Sequence, residues 1–461
     1  ERRKLLHIVM FPWFAAGHLR PFFRLSKTLA RRGHRISFIS TPRNIQRLGE
    51  IPDDLSHLID FVVFPMPTVE HLAPDCESSM DVPHQKQQLL KIALDLLENP
   101  IRNFLQEMSP RPDWILYDYA SHWLPRVAQE IGISKAFFSL FPAAFMAFLG
   151  PTSSGLLDQN CSRVTAEDYT VVPHWIPFKS NMAFRLHEMT KNMEKDAAGE
   201  NAYNSGTSDS VRFGLTIQGS DIMILRSCTA FEPEWFELIH HLYNQKPVIP
   251  TGVLPVELDE EVAEFDSDED WIQIRDWLNK QKDDSLVYVA LGTEAVLTHE
   301  EVQELAFGLE QSGLPFLWVL NRGNQIETLP NGFAKRVEER GRVYSKWAPQ
   351  ATILSRPCVG GFLTHCGWNS VTESLCYGRV LILFPVMNDQ GLIARLLVDK
   401  RVGVEIPRNE NDGSFSRHQV ADALKMAMVS DRGRSLRDNA GKMKALFGDA
   451  RINEEYMDSL I

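Results

Sequence analysis

The sequence predicts an α/β protein made of two domains, each with a mostly parallel β-sheet covered by helices on both faces. Three observations predict this fold class. Short apolar runs alternate with helical patterns along most of the chain. The alternation is interrupted once by an acidic stretch punctuated by Pro and Gly, within residues 250–270, and then restarts. The length of 461 residues also exceeds what one hydrophobic core usually holds.

The first half of the chain carries clear strand and helix signals. Residues 5–11 (LLHIVMF) form an apolar run typical of a buried strand, and residues 21–32 repeat apolar side chains at helical spacing before Gly33. The further predicted strands of this half are 34–40, 59–64, 114–117, 136–139 and 222–225. Because helical stretches separate these strands, we expect crossover connections and a parallel sheet.

The second half repeats the pattern after the acidic stretch. Its predicted strands are 286–291, 315–320, 342–345, 359–363 and 380–384. Its predicted helices are 300–311, 390–399, 417–428 and 435–461. The restart of the same alternation indicates a second α/β unit.

These patterns predict a domain boundary near residue 248. We expect a first domain over 1–247 and a second over 248–440, with the acidic linker inside 248–280. A C-terminal helix over 441–461 is expected to pack back on the first domain. Ligands of open α/β sheets bind beyond the carboxyl ends of the strands, so the two domains are expected to face a common ligand cleft.

Composition argues against several classes of partner. The net charge of −12 opposes binding to nucleic-acid phosphates or to an anionic membrane surface, since both require basic residues. No apolar run approaches the roughly 18–20 residues that span a bilayer. The six cysteines form no CxxC pair, which favours reduced thiols. We expect a cytoplasmic monomer whose partners are small molecules, without nucleic acid and without membrane insertion.

Two polar residues follow predicted strands of the first domain. His18 ends the loop 12–18 after the first strand and lies near a helix start, which disfavours imidazolium. We therefore expect a neutral His18 that can accept a proton, although a role in helix-start hydrogen bonding is equally compatible. Asp118 follows the strand 114–117 and can orient a histidine, as in base-plus-orienter pairs. Its alternative role is a cap for a helix near Ser121.

The most informative stretch of the second domain is 347–390, WAPQATILSRPCVGGFLTHCGWNSVTESLCYGRVLILFPVMNDQ. Within it, the strand 359–363 meets a turn and then the helix start HCGWNS at 365–370. The first N–H groups of a helix have no internal partner, and the helix dipole adds partial positive charge. The segment 365–370 therefore predicts an anion site suited to a diphosphate.

Other side chains of the same stretch suit the two ends of such a ligand. Trp347 offers a flat apolar surface on which a base can stack. Glu373, one turn into the helix, can accept from a ribose diol, and Asp389 with Gln390 can bind sugar hydroxyls. Each residue taken alone is compatible with capping or packing, but their combination favours a nucleotide-sugar site.

Metal and other nucleotide motifs are weak. Asp266-Ser267-Asp268 has the DxD form of some metal sites but lies in the acidic linker, where a solvated charge run is favoured. Cys358, His365 and Cys366 fit no usual zinc spacing. Neither GxGxxG nor GxxxxGK[ST] is present. We therefore expect no metal and no cofactor.

The stretch 347–390 resembles the 44-residue signature of the plant family-1 UDP-dependent glycosyltransferases, with WAPQ, FLTHCGWNS, a Glu and the closing DQ in place. FPWFAAGHLRPFF, LSKTLARRGHRISFISTPRNIQRL and VYVALGTEA further resemble the subgroup that attaches a sugar to the sugar of a glycoside. The resemblance implies a GT-B-type architecture of two Rossmann-like domains and a metal-independent, inverting transfer from a UDP-sugar.

The resemblance also implies residue roles. His18 becomes the general base and Asp118 its partner. The implied donor contacts fall into four groups. Trp347 and Ala348 contact the uracil, and Gln350 and Glu373 contact the ribose. The implied diphosphate contacts are Thr293, His365, Asn369 and Ser370, and the implied sugar contacts are Trp368, Asp389 and Gln390. Ser139 matches a hydroxyl position near the leaving phosphate. Thr293 replaces the family's usual Ser and keeps the hydroxyl, and Gln390 replaces a His associated with galactose donors, which favours UDP-glucose.

The acceptor is less sharply defined. The residues expected near the mouth of the cleft are Trp13, Phe14, His122, Phe141 and Phe145. An aromatic pocket with few polar groups suits a terpenoid or flavonoid, although Phe141 and Phe145 are equally compatible with core packing. The subgroup resemblance favours a glycoside acceptor and a 1,2-linked glucose, with a bare aglycone hydroxyl as the alternative.

Two further classes remain open at this point. A nucleotide-sugar epimerase with this architecture would isomerise a UDP-sugar without an acceptor. A non-catalytic UDP-sugar binder would keep the donor site, but the presence of both His18 and Asp118 argues against it.

Overall fold

The first domain contains a seven-stranded parallel sheet with the strand order β3-β2-β1-β4-β5-β6-β7. The computed structural model describes residues 4–158, 163–258, 268–320 and 327–460. The strands are β1 (His7–Phe11), β2 (Arg35–Ser40), β3 (Ile59–Val63), β4 (Trp114–Tyr117), β5 (Ser134–Ser139), β6 (Ile222–Leu225) and β7 (Val248–Pro250). Short β7 was missed by sequence reasoning because three residues carry no detectable period.

Helices connect these strands and cover the sheet. They are α1 (Ala16–Ala30), α2 (Pro42–Leu48), α3 (Gln87–Leu96), α4 (Glu98–Glu107), α5 (Leu124–Ile131), α6 (Ala143–Leu149), α7 (Leu186–Tyr203), α8 (Asp209–Gly219) and α9 (Pro233–Leu242). Helix α1 begins five residues before the predicted 21–32, so both His18 and Pro21 lie inside it. The prediction started at Pro21 because proline favours the first turn of a helix.

The second domain contains a six-stranded parallel sheet with the order β10-β9-β8-β11-β12-β13. Its strands are β8 (Leu286–Ala290), β9 (Phe316–Val319), β10 (Gly341–Tyr344), β11 (Val359–Thr364), β12 (Val380–Leu383) and β13 (Gly403–Glu405). Its helices are α10 (Glu269–Leu278), α11 (His299–Ser312), α12 (Phe333–Val337), α13 (Gln350–Ser355), α14 (Trp368–Cys376), α15 (Gln390–Asp399), α16 (Arg417–Met428) and α17 (Arg434–Phe447). The predicted α/β class with two parallel sheets is confirmed.

Both sheets reverse their winding direction at an internal strand pair. β1 pairs with β2 on one side and β4 on the other, and β8 pairs likewise with β9 and β11. Loops after such adjacent strands diverge and leave a crevice at the carboxyl ends. This topology explains why the candidate residues after β1, β4, β8 and β11 come together.

The C-terminal segment forms two helices where one was predicted. α17 packs on the second domain and is followed by α18 (Ala450–Leu460). The side chain of Asn453 accepts from the backbone N–H of Val253 at 3.3 Å, and Met457 is buried among apolar residues of the first domain. The break falls at Gly448, where a Cβ would collide with the carbonyl of Cys376.

The acidic linker shows a definite structure at its end. Asp268 caps α10 by accepting from Trp271 N–H at 3.0 Å, and it pairs with Lys346 at 3.2 Å. Asp266 and Ser267 of the DxD pattern lie outside the described residues, as does the Asn160-Cys161-Ser162 region. No helix in the described part of the chain is long and apolar enough to cross a bilayer.

Candidate active site

A cavity of about 560 Å³ lies between the two domains at the carboxyl ends of both sheets. The predicted residues that line it are Trp13, His18, Phe141, Phe145, Thr293, Trp347, Ala348, Gln350, His365, Trp368, Asn369, Ser370, Glu373, Asp389 and Gln390. The cavity therefore brings first-domain residues of the acceptor side against second-domain residues of the donor side.

His18 and Asp118 form a tight pair beside this cavity. Nδ1 of His18 and Oδ2 of Asp118 are 2.6 Å apart, and the Asp118 side chain is 1% exposed. The backbone N–H groups of Trp13 (3.1 Å) and Tyr119 (2.7 Å) also donate to the carboxylate and fix its orientation. Asp118 therefore does not cap a helix near Ser121. With the proton on Nδ1, Nε2 of His18 is the nitrogen that can accept a proton.

The pKa of His18 shifts in the direction opposite to the one expected from the helix start. Burial lowers the pKa of His18, but the Asp118 carboxylate, with help from Asp389 and Glu294, outweighs burial and raises the pKa above its ordinary value. The helix start was expected to disfavour the imidazolium, but a carboxylate at hydrogen-bonding distance acts more strongly than a partial helix charge. The same carboxylate stabilises the imidazolium that forms after proton transfer.

Pro21 links the base to the donor-side helix. A proline inside α1 has no N–H, so the carbonyl of Gly17, four residues earlier, lacks its helical partner. The side-chain amide of Asn369 donates to this carbonyl at 2.9 Å. The backbone next to His18 is therefore held by the first turn of α14 in the other domain.

The N-terminus of α14 offers an anion site. The helix begins at Trp368 without a side-chain cap, and the residues of its first turn line the cavity. Nδ1 of His365 is buried without a hydrogen-bond partner in the described structure, and burial lowers the pKa of His365 to about 4. His365 is thus a neutral group near the helix start. Cβ atoms at Gly292 and Gly367 would lie 2.8 Å and 2.5 Å from its Nε2, so glycines make room for the ring.

The candidate ribose group is assembled around one amide. Nε2 of Gln350 donates to Ser370 Oγ at 3.0 Å and to Glu373 at 2.9 Å. Arg24 of the first domain also reaches Glu373 at 3.2 Å. Glu373 therefore accepts hydrogen bonds from both domains at the position expected for a ribose diol.

The candidate uracil surface is partly covered. Trp347 is 38% exposed, and the guanidinium of Arg20 lies 4.8 Å from its ring centroid. The spacing is that of a cation–π contact. Trp347 lines the cavity as expected, and a cation that sequence reasoning missed lies over its ring.

The candidate sugar group lies at the start of α15. Burial raises the pKa of Asp389 to about 6. The side-chain oxygen of Gln390 accepts from the N–H groups of Val386 (2.9 Å) and Met387 (3.0 Å). These bonds orient the amide and leave its NH₂ group for a ligand.

One donor-side expectation needs correction, and at two other residues the side chain is already engaged within the protein. Ser139 is 1% exposed, interacts locally with Phe141 and does not line the cavity. The indole N–H of Trp368 donates to the carbonyl of Arg226 at 2.8 Å, so only its other groups can meet a sugar. Both ends of the Asn369 amide are engaged, one by Gly17 and one by Arg226.

Two acceptor-side expectations were wrong. Phe14 is completely buried and packs on Phe11 and Trp13, which places it in the core. His122 is bonded to Arg212 at 3.0 Å and does not line the cavity. Local sequence patterns could not reveal this partner of His122, because Arg212 lies 90 residues away along the chain.

The aromatic wall of the acceptor side extends beyond the predicted residues. Phe141 stacks on Phe145 with centroids 4.5 Å apart, and Tyr119 stacks on Phe213 at 4.6 Å. The ring of Phe141 is 5.9 Å from that of His18. Tyr119 was detectable as the aromatic residue directly after Asp118, whereas Phe213 gave no sequence signal.

Two charged residues of the site were also missed. Arg226 is 1% exposed and bonds Asn369, Thr372 (3.0 Å) and the carbonyl of Val253 (2.8 Å). Glu294 lines the cavity and accepts from the hydroxyl of Ser79 at 2.6 Å. A charge directly after the apolar strand β6 was the signal for Arg226.

Comparison with known proteins follows the same two-part division. Residues 4–195 match the family described as "Glycosyltransferase, N-terminal domain", and residues 237–454 match "UDP-glucoronosyl and UDP-glucosyl transferase". The fold is similar to that of Glycyrrhiza uralensis UGT73P12, with a TM-score of 0.79 and 23% identity over 99% of this chain and 95% of that one.

Curated relatives match over nearly their full lengths. UDP-glycosyltransferase 91C1 of Arabidopsis thaliana is 54% identical over 100% of this chain and 97% of its own. Soyasaponin III rhamnosyltransferase of Glycine max is 36% identical over 99% and 95%. Anthocyanidin 3-O-glucoside 2''-O-glucosyltransferase of Ipomoea purpurea is 33% identical over 98% and 96%. The chain is a glycosyltransferase enzyme and belongs to the UDP-glycosyltransferase family.

Proposed function

We propose that the protein transfers glucose from UDP-glucose to a hydroxyl of a small glycoside, with inversion at the anomeric carbon and without a metal. The main observation that supports this proposal is the His18–Asp118 pair, which lies at the same cavity as the N-terminus of α14. A general base and an anion site facing one cavity suit the displacement of UDP by a hydroxyl.

The chain's own groups support each step of this transfer. Nε2 of His18 removes the proton from the acceptor hydroxyl as its oxygen attacks the anomeric carbon, and Asp118 stabilises the imidazolium. UDP leaves from the opposite face, so the configuration inverts. The charge that develops on the diphosphate is met by the N–H groups at the start of α14 and by neutral His365.

Glucose is proposed from the residues around the sugar position. Gln390 stands where a His is associated with galactose donors in the resembling family, and its NH₂ group is oriented by the bonds to Val386 and Met387. The relatives include both a rhamnosyltransferase and a glucosyltransferase by name, so the donor must be tested directly.

A glycoside acceptor is supported by the mixed character of the cavity. Ser79 and Glu294 line the same cavity as His18 and supply polar groups there. The stacked pairs Phe141–Phe145 and Tyr119–Phe213 supply the apolar surface. A sugar near the base and a terpenoid or flavonoid aglycone against the rings would use both. One relative bears the name of a 2''-O-glucosyltransferase of a 3-O-glucoside, which supports a 1,2-linkage.

The test is mass spectrometry of products with UDP-glucose, UDP-galactose and UDP-rhamnose, each offered with flavonoid and terpenoid glycosides and with their bare aglycones. We expect a product that is heavier than the acceptor by one glucose residue and that forms with UDP-glucose. It should form faster from glycosides than from aglycones. Faster glucosylation of aglycones would show that the acceptor is a bare aglycone hydroxyl and not a glycoside. Isomerised UDP-sugar without transfer would indicate an epimerase, and no turnover with intact binding would indicate a binding protein.

Metal independence has a separate test. Transfer rates should be the same with excess EDTA and with added Mg²⁺ or Mn²⁺, because the helix N-terminus carries the electrostatic role. A rate that collapses in EDTA and returns with Mn²⁺ would contradict this part of the proposal.

A further inference from the structure

Helix α7 of the first domain is joined to the loop that precedes the candidate sugar residues. Nδ2 of Asn192 donates to the carbonyl of Asn388 at 3.2 Å, and Oδ1 of Asn192 accepts from the N–H of Asn388 at 2.9 Å. The Asn192 residue is 9% exposed. The amide thus pairs with both backbone polar groups of one residue, as a neighbouring strand would.

The backbone of Asn388 needs such support. Its φ of +53° lies in the left-handed region, which residues other than glycine adopt at a cost in free energy. Asn388 directly precedes Asp389 and Gln390. A change in this one backbone conformation would therefore move both residues.

A second contact joins α7 to α15, the helix that begins at Gln390. Glu188 of α7 pairs with Arg395 of α15 at 2.7 Å, and Arg395 also pairs with Glu405 at 2.8 Å. All three side chains are largely buried. At Gly391, a Cβ would collide with the Glu188 carboxylate, so glycine allows α7 to approach the start of α15.

Helix α7 also forms part of the cavity wall. Met189, Lys195 and Gly199 of this helix line the cavity together with Asn192. α7 therefore touches the space available to the acceptor and, through Asn192, the peptide that carries the candidate sugar residues.

We propose that Asn192 is a positioning residue that holds Asn388 in its left-handed conformation and thereby sets Asp389 and Gln390 against the donor sugar. The inference rests on the proposed sugar role of Asp389 and Gln390. It assigns part of donor-sugar recognition to the first domain.

The experiment compares Asn192→Ala with Asn201→Ala, an exposed asparagine on the same helix. Asn192→Ala should raise the KM for UDP-glucose by about five- to tenfold, as expected for two lost hydrogen bonds, and leave the affinity for UDP unchanged because UDP lacks the transferred glucose. Asn201→Ala should change neither quantity. Equal weakening of UDP and UDP-glucose by Asn192→Ala would overturn the inference, since that result indicates a general structural role.

A rescue variant sharpens the test. Asn388→Gly allows a positive φ without strain, so the double variant Asn192→Ala/Asn388→Gly should recover part of the lost affinity for UDP-glucose. No recovery would contradict the role assigned to the backbone of Asn388.

Asp389→Ala separates this inference from the proposed function. If Asp389→Ala leaves the KM for UDP-glucose unchanged, the sugar role of Asp389 fails, and the inference fails with it. If Asp389→Ala raises that KM and Asn192→Ala does not, the inference alone is wrong.

Discussion

The donor side and the acceptor side of the cavity are built in different ways. The donor side uses one contiguous stretch, 347–390, in which a strand, a helix start and a second helix start present backbone N–H groups and short polar side chains. The acceptor side collects aromatic residues from distant segments, such as Tyr119, Phe145 and Phe213. Local backbone geometry defines the first, and long-range packing defines the second.

This difference matters for function. A nucleotide diphosphate has the same charge in every donor, so a fixed helix N-terminus serves it. An acceptor varies in shape, and a wall of stacked rings can be altered without disturbing the strands beneath it. The two sides meet at His18, whose neighbour Gly17 is bonded to Asn369 of the donor helix.

The largest expected effect separates chemistry from donor binding. His18→Ala should lower kcat by about 10²- to 10⁴-fold, because the general base is lost. Calorimetry should show UDP affinity close to that of the unaltered protein, since the residues proposed to bind UDP lie mainly in the second domain. Near-normal turnover would refute the base assignment, and a parallel loss of UDP affinity would break the division between the two sides.

A large effect is also expected where the domains meet. Arg226→Ala removes a buried guanidinium from Asn369 and Thr372 and should weaken UDP binding about tenfold or more, since charged hydrogen bonds each contribute about 1.5–3 kcal/mol. Thermal unfolding measured beside calorimetry would separate a folding defect from a binding defect. Unchanged UDP affinity in a folded variant would show that the donor helix does not depend on the first domain.

The base should also produce a defined pH dependence. Transfer requires neutral His18, and the pKa of this residue is raised by Asp118, so kcat/KM should fall as pH decreases through a midpoint above the ordinary histidine value of about 6.5. Asp118→Asn should shift that midpoint to lower pH and reduce the rate. A midpoint that does not move in Asp118→Asn would contradict the coupling.

The smallest effects test the acceptor side with matched substitutions. Phe141→Leu changes the cavity wall and should alter acceptor KM with little change in stability. Phe14→Leu changes the core and should lower the free energy of unfolding by about 1–3 kcal/mol with acceptor preference unchanged. Product ratios from a mixed acceptor panel, measured beside thermal unfolding, distinguish the two. An altered acceptor preference in Phe14→Leu, together with an unchanged preference in Phe141→Leu, would contradict these assignments.

The sequence predicted the fold and the donor stretch because both depend on local patterns. Strands such as β4 and β6 and the helices α15 and α16 were predicted with their observed bounds, since apolar runs and helical periods mark them directly. The position of His365 near a helix start followed from the break after β11.

Long-range contacts account for what sequence reasoning missed. His122 pairs with Arg212, 90 residues away, and Arg226 reaches Asn369, 143 residues away. The pKa of His18 also depended on a partner 100 residues distant, and that partner reversed the expected direction. No local period or motif records such pairs.

The most direct test of the central claim is the anomeric configuration of the product. UDP-glucose carries an α-linked glucose, so a base-assisted displacement at His18 should give a β-linked glucose on the acceptor, read from the coupling of the new anomeric proton by NMR. Formation of the β-linked product by the unaltered protein, and its loss in His18→Ala, is the predicted result. An α-linked product, or a β-linked product formed at full rate without His18, would contradict the account.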